Sequence, residues 1–161
     1  MLFTEWKQKA LEEILKDDEL TKLLKYNSKD WKFQPSLTEE ERYDLVNEKI
    51  FKYRYADVIP EVKSSFVSMG LNYFAPQEGW RQFSNKYVMG YLYFYILVER
   101  SIRDTPVGDR ADLIVGRIYD ILEESRFIGI GELKMKTQGE LWIDNSTYSG
   151  YQIGFQVIEF K

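Results

Sequence analysis

Residues 87–98, with the sequence YVMGYLYFYILV, run for twelve positions without a charge, an amide or a proline. The stretch is too short to cross a bilayer as a helix, because a spanning helix takes about 20 apolar residues. Its aromatic and β-branched side chains favour a strand that is covered on both faces. The sequence therefore predicts a central strand, and the rest of the fold is expected to assemble around it.

Strand alternation divides this stretch into two different faces. One face is apolar throughout and suits a core, with Val88, Gly90, Leu92, Phe94, Ile96 and Val98. The other is apolar but tipped with hydroxyl groups, with Tyr87, Met89, Tyr91, Tyr93, Tyr95 and Leu97. We call this second side the tyrosine face. Because phenols bury apolar area yet keep a polar end, such a face is typical of a surface that is covered by a loop or by another subunit.

Three interpretations of the tyrosine face are open at this point. The chain could cover it with its own loop over residues 26–37, through Trp31 and Phe33. It could line a pocket for a small ligand, although such pockets usually add several convergent polar groups. The functional interpretation is a contact between subunits, for which Tyr91, Tyr93 and Tyr95 are the candidate residues.

A second candidate contact lies in the long connection over residues 75–85. It carries Trp80, Arg81 and Phe83, and tryptophan and arginine are enriched among the residues that anchor protein interfaces. The alternative is a loop that folds back on its own sheet.

Composition narrows the chemistry available to the 161 residues, which include no cysteine and no histidine. Thiolate catalysis, Ser-His-Asp chemistry and the usual zinc sites are therefore excluded. We expect no enzyme, no metal and no cofactor; a hydrolase that uses two carboxylates is the remaining catalytic possibility. The net charge of −4 and the lack of a basic block argue against a protein that grips nucleic acid.

The remaining segments predict an α+β fold. Apolar spacing indicates helices over residues 3–15, 18–24, 39–48 and 109–124. The candidate N-caps are Thr4, Thr38 and, for the last helix, Asp109 or else Thr105 with Pro106 at the first helical position. Strands are predicted over 51–55, 62–74, 131–143 and 149–160. Paired as two hairpins, the long strands give an antiparallel or mixed four-stranded sheet with helices packed on one face and extra N-terminal helical segments. A single domain over residues 1–161 is expected.

Other motifs have simpler structural explanations. The acidic clusters at residues 17–19, 39–41 and 123–124 are predicted to be solvated, since two of them begin helices. Gly129 and Gly131 follow a helix and lack the spacing of a phosphate loop, so they predict a turn. The alternating aromatic and basic residues 51–55 could stack nucleic-acid bases, but a half-buried edge strand accounts for them more simply.

The order of these elements resembles a known family. The segment KDDELTKLL over residues 16–24 closes the N-terminal helices, and a long hairpin follows. A helix with the sequence RADLIVGRIYDIL (residues 110–122) and a final alternating strand, YSGYQIGFQVIEF (residues 148–160), complete the chain. This arrangement is similar to the tail terminator proteins, also called tail completion proteins, of long-tailed bacteriophages. The early Ala111-Asp112 pair and the aliphatic stripe after it match the family's helix.

The resemblance implies a structural protein without catalytic residues. Its subunits would form a hexameric ring on the finished tail tube in the virion, after assembly in the host cytoplasm. The ring would contact the tube protein and the head-side connector, and DNA would pass through it without sequence-specific binding and with no membrane involved. An adaptor or head-closure ring of the neck is an alternative. Residues 26–60 stand out as an insertion relative to the family.

Overall fold

The computed structural model describes residues 2–54, 63–76 and 86–160. Two short 3-10 helices, at Trp31–Phe33 and Arg100–Ile102, accompany the main elements. The main elements in chain order are α1 (Phe3–Lys16), α2 (Asp18–Lys25), α3 (Glu39–Asp44), β1 (Ile50–Phe51), β2 (Ser65–Pro76), β3 (Tyr87–Glu99), β4 (Asp104–Thr105), β5 (Gly108–Asp109), α4 (Arg110–Leu122), β6 (Lys134–Trp142) and β7 (Tyr148–Phe160).

The main sheet has five strands in the order β1-β2-β3-β7-β6. β2 pairs with β3 and β6 pairs with β7 as two antiparallel hairpins, and β3 joins the hairpins by pairing with β7. The two-residue β1 runs parallel to β2 and makes the sheet mixed. The α+β prediction is confirmed; β1, at the start of the segment predicted as an edge strand over 51–55, adds a fifth strand to the predicted four-stranded sheet. β4 and β5 form a separate small hairpin.

The core lies between the helices and one face of the sheet. Leu92, Phe94, Ile96 and Val98 of β3 have no exposed surface, as predicted for the apolar face. From the helix layer, Ala111, Ile114, Ile118 and Leu122 of α4 are equally inaccessible and belong to the same cluster. The apolar stripe of α4 therefore packs directly on the central strands.

Two of the three predicted helix caps are confirmed. The Asp109 carboxylate accepts hydrogen bonds from the backbone N–H groups of Ala111 and Asp112, and the Thr38 hydroxyl accepts one from Glu41. Thr4 was wrong as a cap, because α1 already begins at Phe3. The helix predicted over 39–48 ends at Asp44, since the chain turns into β1 through Asn47, whose φ is 66°.

The loop over residues 26–37 lies with the helices. Trp31 is buried in the same core cluster as α1 and α2, whereas Phe33 is 86% exposed. The interpretation in which Trp31 and Phe33 cover the tyrosine face was therefore wrong. The indole of Trp31 reaches the helix side of the sheet because its turn packs on α2.

Arg110 fixes the N-terminal helices to the rest of the fold. Its side chain is fully buried and its guanidinium donates to four backbone carbonyls, those of Leu23, Tyr26, Ser28 and Ile102, at 2.8 to 2.9 Å. Two of these carbonyls belong to the C-terminal end of α2, where the helix dipole favours a cation. Burial lowers the pKa of Arg110 to about 10, so the guanidinium is still charged at neutral pH.

Replacing Arg110 by methionine is expected to lower the free energy of unfolding by about 3 kcal/mol, because buried carbonyls lose their donor. The matched control is Arg126→Met, which breaks an exposed ion pair with Glu132 and should cost less than about 1 kcal/mol. Urea unfolding of both variants measures the difference. Equally small losses of stability in the two variants would contradict the role of Arg110 in fixing the N-terminal helices.

Candidate functional site: the tyrosine face

The tyrosine face lies on the side of the sheet opposite the four α-helices. Tyr93 and Tyr95 are each 8% exposed, and Tyr91 beside them is half-buried. The other three candidate residues, Trp80, Arg81 and Phe83, lie outside the described residues. A contact with another subunit through Tyr91, Tyr93 and Tyr95 stays a prediction. The burial of Tyr93 and Tyr95 limits what they can offer a partner to the outer edges of their rings.

Glycines on the neighbouring strands form the floor of this face. Tyr93 lies between Gly70 on β2 and Gly154 on β7. A Cβ atom at Gly154 would be 2.7 Å from Cε1 of Tyr93, so the phenol occupies the space that a side chain would need. The ring of Tyr95 similarly comes within 3.8 Å of a Cβ built at Gly70. The phenols therefore lean across the sheet, where they cover glycine backbone.

The phenols also pack on one another along β3. Ring centroids are 5.9 Å apart between Tyr91 and Tyr93, and 6.2 Å apart between the stacked rings of Tyr93 and Tyr95. Burial, together with these neighbouring phenols, raises the pKa of Tyr93 above its ordinary value. Over the physiological pH range the Tyr93 phenol at the centre of the face is therefore uncharged, which suits contact with another protein surface.

A bulge in β2 brings Tyr73 to this face. Asn72 pairs with Tyr91 and Ala75 with Met89, so Tyr73 and Phe74 both stand opposite a single residue. Strand alternation over the predicted strand 62–74 places Tyr73 on the same face as Val67, Met69 and Leu71. That prediction was wrong, because the extra residue reverses the alternation.

Tyr73 adopts an unusual conformation to reach its position. Its φ is 62°, which is strained for a residue with a bulky side chain. Its ring stands edge-on to Tyr93 at 6.2 Å and is 77% exposed. Phe74 then turns to the helix side, where its ring packs over Gly90 and against Trp6. The strained conformation coincides with the bulge in β2, and alternation alone could not have shown it.

Cations are present on the tyrosine face. The guanidinium carbon of Arg54 lies 5.2 Å from the ring centroid of Tyr95, whose hydroxyl also accepts a hydrogen bond from the Asn72 amide. Nζ of Lys49 lies 5.6 Å from the ring centroid of Phe66 and contacts the Ser64 hydroxyl, and burial lowers the pKa of this lysine. The alternating segment 51–55 includes Arg54 but not Lys49, and the position of both cations on this face depends on strand register.

The described strands contribute few acidic side chains to the same surface. In the registered rows from Phe66–Leu97–Gly150 to Tyr87–Phe160, the described strand residues on this side include no aspartate or glutamate. Glu99 lies one row beyond, and its carboxylate accepts hydrogen bonds from Ser101. The tyrosine face thus combines phenols, amides, glycines and a few cations.

Exposure increases towards the end of the sheet where β2 ends and β3 begins. Besides Tyr73, the side chains of Ile158 and Phe160 on β7 are 37% and 55% exposed, and Phe160 packs on Tyr87 with ring centroids 5.2 Å apart. This end is an apolar surface that no described helix covers, and such surfaces mark contact sites.

In the part of the chain that the structure describes, no three acidic side chains come close enough together to hold a metal ion. None of the helices there is both long and apolar enough to span a membrane. What the tyrosine face can do chemically is bury aromatic area and donate hydrogen bonds.

Most of the chain matches the model of a known family. The model of the YomW family matches residues 17–157, which include all of the tyrosine face on β2 and β3 and most of it on β7. No curated protein matches the chain.

The packing of Tyr93 against Gly154 predicts the effect of a substitution at this glycine. A methyl group there would clash with both the ring of Tyr93 and the methyl group of Thr137, each of which would have to move away. Gly154→Ala should therefore lower the free energy of unfolding by about 1–3 kcal/mol. Gly139→Ala on β6 is the control, because a Cβ there meets nothing within 4 Å. Thermal unfolding compares the two variants, and a Gly154→Ala protein as stable as Gly139→Ala would contradict this packing.

Proposed function

The chain belongs to the phage-derived YomW family, and on that premise we propose that it is the tail terminator of a phage neck. In this proposal a hexameric ring of the chain caps the tail tube and joins it to the head connector, and DNA passes through the ring. The chain would assemble in the host cytoplasm and remain in the virion.

The observation that carries the proposal is the tyrosine face. Helices cover the central strands on one side of the sheet, while the other side presents phenols and a strained, exposed Tyr73. A closed ring needs two different surfaces on each subunit that fit each other, and a sheet with one helical and one aromatic side supplies two. The order of two hairpins around α4 also agrees with the resemblance to tail terminators.

Another neck ring, an adaptor or head-closure protein, is the second candidate, since the same features support any ring subunit. A monomeric protein that binds a small molecule between α4 and the sheet is less favoured. The apolar side chains of α4 fill that space, as the full burial of Ile114, Ile118, Phe94 and Phe155 shows.

The test of this proposal measures both the oligomeric state of the chain and the length of the phage tails. Native mass measurement of the purified chain is expected to give a hexamer, alone or with tail tubes. Electron microscopy of phage particles that lack the gene is expected to show tails of uncontrolled length. Tails of normal length without heads attached would instead support an adaptor or head-closure role. A strictly monomeric chain that leaves tail tubes unaffected would contradict a ring of either kind.

Tyr73 offers a variant that separates assembly from stability. Asparagine tolerates a positive φ, so Tyr73→Asn should relieve about 1 kcal/mol of strain while it loses an aromatic contact worth about the same. We expect an unchanged free energy of unfolding but weaker ring formation in sedimentation. Tyr119→Asn, at an exposed position of α4, is the control. Normal assembly of Tyr73→Asn would exclude this residue from the contact.

A further inference from the structure

We propose that the tyrosine face of each subunit binds the acidic helix α3 of the next subunit in the ring. This inference rests on the proposed function, because it names the two surfaces that meet in the ring. The occupant of the face is thus a second copy of the chain, and the contact runs head to tail.

The first argument is the charge of the face. Aspartate and glutamate make up 26 of the 161 residues, yet the described rows of this face contain none. Lys134 on β6 is neutralised by Glu124 and Glu132. The positive charge that is open to a partner therefore comes mainly from the exposed Arg54, with the half-buried Lys49 beside β1, and neither makes an ion pair with the described residues.

The second argument is the outer surface of α3. This helix carries Glu39, Glu40, Glu41 and Asp44, and none of them forms an ion pair within the described ranges. Glu40 and Asp44 are one helical turn apart and both are exposed, so they lie side by side on the same face.

The basic residue of α3 does not offset these acids. The guanidinium of Arg42 donates to the backbone carbonyls of Leu15 and Lys16 at 2.9 Å and also contacts Asp18. These bonds hold Arg42 against the end of α1, and α3 is left with an acidic outer surface.

The third argument is the placement of the two surfaces. α3 packs on the helix side, where the flanking Leu37 and Leu45 enter the core cluster, and the tyrosine face lies across the sheet from it. A two-fold contact of tyrosine faces would bring two cationic surfaces together, whereas a head-to-tail contact sets Arg54 against carboxylates and can close a ring.

Charge-reversal variants test the contact. Arg54→Glu alters only the face, and Glu40→Lys with Asp44→Lys alters only α3. Each is expected to weaken assembly by about tenfold or more, because like charges then meet across the contact. Raising the salt concentration should weaken wild-type assembly, since salt screens exposed charges. Lys32→Glu and Asp144→Lys are controls at exposed positions off both surfaces and should assemble normally.

Mixing the two variants gives the sharpest outcome. In a head-to-tail ring, the acidic face of one variant meets the basic α3 of the other, and the unaltered surfaces meet in turn. An equimolar mixture should therefore recover rings in which the variants alternate, as native mass measurement would show. Melting temperatures check that each variant folds. If the charge-reversal variant of α3 does not fold, the milder double variant Glu40→Gln with Asp44→Asn replaces it.

Other outcomes would overturn the inference. Rings of the α3 variant that form as readily as wild type, or a mixture that stays unassembled, exclude α3 as the occupant. If Arg54→Glu forms normal rings but binds duplex DNA or tail tubes more weakly, the face serves those partners instead. These failures leave the ring itself intact, whereas a monomeric wild-type chain without effect on tails overturns the proposed function together with the contact.

Discussion

The structure depends on a central strand that is hydrogen-bonded on both sides. β3 pairs with β7 over its whole length and with β2 over most of it, so its edges have no solvent contact and its side chains must be covered above and below. The helices cover one face with aliphatic side chains. On the other face the phenols lie over glycines on β2 and β7 and pack on one another. The outer edges of these rings and the exposed Tyr73 give this side of the sheet an aromatic surface.

The helix layer is held by arginines rather than by apolar packing alone. Arg110 binds the end of α2, Arg42 binds the end of α1, and Arg117 pairs with Asp17 between these helices. Each of them reaches backbone or side-chain oxygens at the ends of α1 and α2, where the helix dipole or the N-cap leaves negative charge. The orientation of the N-terminal helices is thereby fixed, and so is the position of α3, which Arg42 joins to them. The separation of the acidic and aromatic surfaces follows from these bonds.

Much of the fold could be predicted from periodicity. The twelve uncharged residues of β3 and the aliphatic stripe of α4 are strong local signals, and both elements lie where they were predicted. Features that depend on register could not be predicted. The bulge that turns Tyr73 outwards changes one residue pairing, and nothing in the alternation around it marks the change. Gly70 and Gly154 become a floor only once they are aligned with Tyr93. From the sequence alone, Arg110 would be expected on the surface at the start of a helix. Its burial depends on the four carbonyls around it, which only the structure shows.

The central claim is that the tyrosine face meets another protein chain. A photo-crosslinking amino acid in place of Tyr73 tests it most directly, because that position is exposed and lies beside the phenols of β3. Irradiation of the assembled protein should give covalent dimers whose cross-linked peptides come from two copies, with residues near α3 as the acceptor. Cross-links confined to a single chain, in a protein shown to be assembled, would contradict the account.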